Sequence, residues 1–121
     1  MKYLVDSNII IYHLNNEMVA TKFLIKNYRD IAISQTTYVE VLSFPFTKEQ
    51  EENVKRLLSK FNILDITLSI SNQAVKNRKI KKIKLPDNLI ASTAMVNSLI
   101  LVTRNVKDFN GLDVKILNIF E

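Results

Sequence analysis

The chain contains no cysteine, one histidine (His13) and one glycine (Gly111). Without cysteine there are no disulfides, thiolate zinc sites or cysteine nucleophile. One histidine cannot build a histidine metal cluster. One glycine excludes the phosphate loops G-x-G-x-x-G and G-x-x-x-x-G-K, and the G-x-S-x-G nucleophile elbow. Most common nucleotide-binding and serine-hydrolase signatures fall with them. Oxygen-ligand metal chemistry is among the few enzyme classes left open. Long apolar runs are missing too. None approaches the ~18 residues needed to cross a bilayer. The first apolar run, after Lys2, is cut at Asp6, so no signal peptide is expected. The chain reads as soluble and cytoplasmic, with no internal repeat, low-complexity tract or linker.

What is present is apolar and mildly basic. Hydrophobic residues make up 47% of the 121, enough for one domain over residues 1–121 to bury a core. Lys and Arg number 17 against 12 Asp and Glu, a net charge of +5. That field favours a polyanionic partner such as nucleic acid, although many basic proteins bind none. Short runs rich in Ile, Val and Leu predict strands at Tyr3–Val5, Ile31–Ile33, Ile63–Ile66, Leu99–Val102 and Val114–Ile119. Helical patterns fill the gaps at Asn8–Leu14, Met18–Tyr28, Gln35–Phe44, Thr47–Phe61, Ser69–Lys82 and Asp87–Asn97. Thr47 with Gln50 reads as a capping box, and Pro86 suits a first helical turn. Strands alternating with helices imply parallel pairing through right-handed crossovers. The expected fold is α/β: a three-layer α/β/α domain around a small, mostly parallel sheet.

Four carboxylates flank or interrupt these apolar elements. Asp6 follows the first strand, Glu40 sits in Thr37-Tyr38-Val39-Glu40-Val41-Leu42, Asp87 in Leu85-Pro86-Asp87-Asn88-Leu89-Ile90-Ala91, and Asp108 in Thr103-Arg104-Asn105-Val106-Lys107-Asp108-Phe109. Each has a bland explanation. Asp6 suits a helix N-cap. Glu40 suits a solvated helix face. Asp87, at the second helical position, favours the helix dipole. Asn105 and Asp108 are spaced like a cap and its third helical residue. Together they read differently. Open α/β sheets bind ligands beyond the carboxyl ends of their strands. Carboxylates gathered there repel one another unless a cation intervenes. The set is a candidate site for a hard divalent cation.

These segments, with Tyr3-Leu4-Val5-Asp6-Ser7-Asn8 at the start, occur in the order found in PIN-domain ribonucleases. The chain resembles that family over essentially its whole length, in particular the VapC-type toxins of toxin–antitoxin pairs. The resemblance implies Mg²⁺- or Mn²⁺-dependent endonucleolytic cleavage of RNA in the cytoplasm, a homodimer and a cognate antitoxin. It implies that Asp6, Glu40 and Asp87 are metal-binding acids, expected to converge within bridging distance. The family's fourth acidic position is here Asn105, so Asp108 is expected to supply or share that role. Ser7, Asn8 and Thr103 are candidate hydrogen-bonding supports. Ser7, Thr103 and Arg104 are candidate substrate contacts.

Other features read as structural. The run Lys76-Asn77-Arg78-Lys79-Ile80-Lys81-Lys82-Ile83-Lys84 fits a solvated helix end slightly better than a phosphate-contacting rim beside Asp87. His13 fits a helix surface. Phe44-Pro45-Phe46 is an apolar segment suited to a partner. Two other functions compete with the nuclease. One is a catalytically impaired PIN-like module that binds RNA or protein, its foothold being Asn105. The other is a small-molecule phosphatase, disfavoured because Asn8 replaces the second acid of D-x-D.

Overall fold

A computed structural model describes all residues, Met1–Glu121. Five strands form one parallel sheet: β1 (Tyr3–Val5), β2 (Ile31–Ser34), β3 (Asn62–Leu64), β4 (Ile100–Val102) and β5 (Ile116–Leu117), in the order β3-β2-β1-β4-β5. Six helices accompany them: α1 (Ser7–Leu14), α2 (Met18–Asn27), α3 (Gln35–Leu42), α4 (Lys48–Leu58), α5 (Leu68–Ile80) and α6 (Leu85–Val96). Short 3₁₀ turns occupy Tyr28–Asp30 and Val106–Phe109.

Side chains alternate across the strands, as a period of two dictates. Val5, Ile31, Ile33 and Val102 enter one core with Ile9, Ile10, Leu24, Val41, Leu58 and Phe61. Leu4, Ala32 and Leu101 enter the other with Ile90, Ala91, Ala94 and Phe109. Both faces of the sheet are thus covered, which is why its strands are apolar throughout. The three-layer α/β/α expectation holds.

The boundaries differ in detail. β3 lies at Asn62–Leu64 rather than Ile63–Ile66, because Thr67 caps α5 by accepting the Ile70 N–H at 3.2 Å. β5 shrinks to two residues at the sheet edge. α4 ends at Leu58, and Phe61 turns back into the core. Its capping box is present: the Gln50 N–H donates to Thr47 Oγ1 at 3.1 Å, and the Thr47 N–H donates to Gln50 Oε1 at 2.9 Å. α6 begins at Leu85, which makes Asp87 its third residue, with Pro86 placed where no N–H is needed.

With one glycine in the chain, left-handed backbone falls partly to other residues. Asn16 has φ 64° and Ser98 φ 54°, each just past a helix end.

The connectivity sets the site. From β1 the chain moves outward to β2 and β3, then crosses to β4 on the other side of β1. The carboxyl ends of β1 and β4 therefore meet at the switch point, where such sheets open a crevice.

Candidate metal and phosphate site

Asp6 leaves β1 at that switch point. Its N–H donates to the Val102 carbonyl of β4 at 2.9 Å. Its carboxylate is 5% exposed, and both oxygens are engaged. Oδ1 accepts the Ser7 N–H at 2.7 Å, which caps α1. Oδ2 accepts the Thr103 hydroxyl at 2.7 Å. The capping role is real, and it uses one oxygen of two. Thr103, just after β4, is fully buried. Its hydroxyl oxygen also accepts the Asn105 N–H at 3.1 Å and Asn8 Nδ2 at 3.3 Å. Burial pushes the Asp6 carboxyl up to about 6, against the Thr103 and Ser7 hydrogen bonds that hold it down; the charges of Asp87 and Glu40 push it further up.

Glu40 reaches the same edge on α3. That helix starts where β2 stops, with Ser34 capping it by accepting the Thr37 N–H at 3.0 Å. Thr37 and Glu40 share a face, one turn apart. Ser7 bridges to both: its hydroxyl donates to Glu40 Oε1 at 2.6 Å and lies 3.3 Å from Thr37 Oγ1. Asp87 is half-buried in the first turn of α6. Burial raises its carboxyl, the charges of Asp108 and Glu40 raise it further, and Lys84 opposes them. Asp108 stands exposed on the second 3₁₀ turn and shares a cavity of about 220 Å³ with Asp87.

The four acids thus stand on one edge and feel one another. As placed, no three of them come within ligating distance of one point. The expected bridging convergence of Asp6, Glu40 and Asp87 is not reached. Like charges keep apart, and two of the acids are tethered, Asp6 by Thr103 and Glu40 by Ser7. The donor set nonetheless suits a hard cation: oxygen donors only, the carboxylates beside a buried amide oxygen, Asn8 Oδ1, that has no hydrogen-bond partner although its amide nitrogen touches Thr103.

Asn105 stands at the N-cap position of the 3₁₀ turn without a side-chain cap. Its side chain is exposed; only its backbone serves, donating to Thr103 and accepting the Asp108 N–H at 3.2 Å. Arg104 lies against aromatic rings, 4.4 Å from the Phe120 centroid and 5.2 Å from that of Tyr12. Its guanidinium has no acidic partner, since the chain's one ion pair is Lys55–Glu51 at 3.9 Å. His13 is half-buried rather than on the surface. Its Nδ1 lies 2.7 Å from Thr21 Oγ1, and burial lowers its pKa.

The basic run divides. Lys76, Arg78 and Lys79 remain on α5 and exposed, whereas Lys81, Lys82 and Lys84 lie in the α5–α6 connection and line the cavity of Asp87 and Asp108. Lys107 joins them from the 3₁₀ turn. Its part was not legible in the sequence, where it is one lysine in a loop. The signal for the others was a charge run outlasting its helix.

Fold and site together define the class. A family model described as PIN domain matches residues 3–115, and the chain belongs to that family. Within it, the chain is similar to VapC-type proteins. It is 36% identical over 113 residues to Ribonuclease VapC10 of Mycobacterium tuberculosis, covering 88% of this chain and 84% of that protein. Among solved structures it resembles a chain of a toxin–antitoxin complex from Klebsiella pneumoniae, with TM-score 0.89, 35% identity and 99% of each chain covered. It also resembles a chain of VapBC2 from Rickettsia felis bound to a promoter DNA fragment, with TM-score 0.82, 26% identity and 98% of each chain covered. No helix is long and apolar enough to cross a membrane.

Proposed function

We propose that this protein is a divalent-metal-dependent endoribonuclease, the toxin half of a type II toxin–antitoxin pair acting in the cytoplasm. The observation that carries the reading is the buried Asp6 carboxylate at the β1/β4 switch point, raised by burial and by the charges of Asp87 and Glu40. An edge that concentrates unneutralised negative charge suits a cation better than it suits stability. Asp6, Glu40 and Asp87 would hold Mg²⁺ or Mn²⁺, with Asp108 filling the fourth acidic place in preference to Asn105. Asp108 is the charge that Asp87 feels most. Bound there, the ion supplies water activation and charge neutralisation at the phosphate.

The chain's own residues do the positioning. Thr103 orients Asp6, Ser7 orients Glu40, and the aromatic seat of Arg104 leaves its in-plane N–H donors free for a phosphate oxygen. No histidine base is needed, and His13 is occupied with Thr21. The ribonuclease and antitoxin names of the relatives support the activity and the partner.

An antitoxin finds apolar surface near the N-terminal helices. A groove of about 400 Å³ is lined by Leu24, Ile25, Tyr28, Leu57 and Phe61, and Phe44 is exposed. Phe46 instead packs against the core, so only half of the Phe44-Pro45-Phe46 segment is offered. Exposed Val39, Val75 and Leu85 line two further grooves and suit a second copy in a homodimer. The test is cleavage of bulk RNA against Mg²⁺ and Mn²⁺ concentration. Cleavage that is abolished by EDTA and restored by metal is the expected result. Undiminished cleavage in excess EDTA defeats the metal-dependent reading.

A further inference from the structure

We propose that the lysine-lined cavity beside Asp87 and Asp108 is a subsite for a backbone phosphate of single-stranded RNA, adjacent to the bond that is cut. The inference rests on the nuclease reading above and adds where the substrate is gripped.

Three observations carry it. First, the cavity brings Lys81, Lys82, Lys84 and Lys107 from two separate segments around about 220 Å³, with Ile83 as its one apolar wall. Second, the cavity is built. Ile83 is buried in the core with Phe109, which anchors both segments, and Lys81 Nζ donates to the Lys107 carbonyl across the gap at 3.4 Å. Third, its charges are not joined in ion pairs, although Lys81 bonds a carbonyl and Lys84 acts on Asp87 through space. Two carboxylates line the same space as four ammonium groups, yet no ion pair forms among them. Opposite charges held close without pairing are matched to a ligand that carries both signs. A cation at the acids with a phosphate at the lysines is such a ligand.

The residue type sets the kind of recognition. Lysine is a hydrated point charge that contacts phosphate without reading a base. The subsite therefore supplies affinity and register but no sequence preference. Lys76 and Lys79, exposed on α5 outside the cavity, take no part.

The test is binding of a fluorescent single-stranded RNA to the full chain in EDTA, followed across salt concentrations. Lys82→Gln/Lys107→Gln draws one residue from each segment, and both side chains are exposed. Its plot of log affinity against log salt is expected to be shallower than wild type by about 0.7, the loss of one phosphate contact on a single strand. The loss is expected to be equal across unrelated RNA sequences. Lys76→Gln/Lys79→Gln is expected to keep the wild-type slope, and Lys82→Arg/Lys107→Arg to restore it. A wild-type slope in the cavity variant, an equal loss in the α5 variant, or no RNA binding by wild type overturns the subsite. Salt-dependent binding that behaves as expected, in a protein that cleaves no RNA with Mg²⁺ or Mn²⁺, overturns the nuclease reading and leaves the cavity as a phosphate-binding site without a cut bond beside it.

Discussion

Thr103 donates its hydroxyl hydrogen to Asp6 Oδ2 at 2.7 Å, across 97 residues of sequence. The bond joins the ends of β1 and β4 where the sheet reverses its strand order. It is also the strongest of the influences that hold the Asp6 carboxyl down. Thr103→Val keeps the shape of the side chain and removes the hydroxyl. Asp6 Oδ2 loses its donor, and the Asn105 N–H and Asn8 amide lose their acceptor. A loss of about 1–3 kcal/mol in stability is expected, measured by urea unfolding. The Asp6 pKa should rise further, so the acid limb of the cleavage profile should move to higher pH. Thr103→Ser should largely restore both. A valine variant with the wild-type pH profile would show that the bond serves the fold alone.

Asp87→Asn separates ligand from helix-start residue. As a structural acid in the first turn, Asp87 contributes at most ~1 kcal/mol through the helix dipole. As a ligand, it is needed for cleavage. The expected outcome is a folded, cleavage-dead protein that no longer arrests growth on expression. Asp108→Asn should raise the Mg²⁺ concentration needed for half-maximal cleavage, because Asp108 shares the cavity of Asp87. Asn105→Asp should tighten metal binding if position 105 faces the ion. Comparing the two metal titrations assigns the fourth acidic place.

α6 ends in a Schellman motif. The Leu99 N–H donates to the Ala94 carbonyl at 2.9 Å, the Ser98 N–H lies 3.3 Å from the Met95 carbonyl, and Ser98 sits at φ 54°. Glycine takes that conformation without the steric penalty a Cβ brings. Ser98→Gly is expected to stabilise the protein by about 0.5–1 kcal/mol, read as a higher melting temperature with RNA cleavage unchanged. A lower melting temperature would mean that the serine side chain compensates for its backbone.

The sequence made the layers legible because each strand carries an apolar run and each helix a local cap. Thr47 with Gln50 announced α4, and Pro86 announced α6. The acids were legible as a set because Asp6 directly follows β1, Asp108 lies in the turn after β4 and Asp87 opens α6, although Glu40 stands toward the end of α3 rather than near its start. What local pattern does not carry is distance. The gap between the carboxylates depends on Ser7 and Thr103, whose partners lie 33 and 97 residues away. The basic run reads as a helix to Lys82, with a rim beside Asp87 as the alternative; local pattern does not show that α5 stops at Ile80 and that Lys81, Lys82 and Lys84 line the cavity of Asp87. β5 was overextended because an edge strand needs few residues to pair, whatever its apolar run suggests.

The acid edge makes metal-free stability depend on pH in the reverse of the usual carboxylate direction. Asp6 titrates near 6 in the folded chain, above its ordinary 3.8, chiefly because it is buried. A raised folded pKa means that folding favours the protonated form. The associated stability is fully present below about 3.8 and is lost as pH rises through about 6. Asp87, raised by burial and by Asp108, acts in the same direction. For Asp6 alone the difference corresponds to roughly 3 kcal/mol by neutral pH. In EDTA the protein is therefore expected to be more stable at pH 5 than at pH 7.5. A divalent cation bound as proposed would replace the missing proton. Mg²⁺ should raise the melting temperature strongly at pH 7.5 and little at pH 5, where protons compete for the same oxygens. Thermal unfolding at the two pH values, with EDTA or with millimolar Mg²⁺, reads all four corners of this linkage. In Asp87→Asn the metal-dependent gain at pH 7.5 should shrink, since one ligand and one repelling charge leave together. An equal Mg²⁺ effect at both pH values would place the ion away from Asp6.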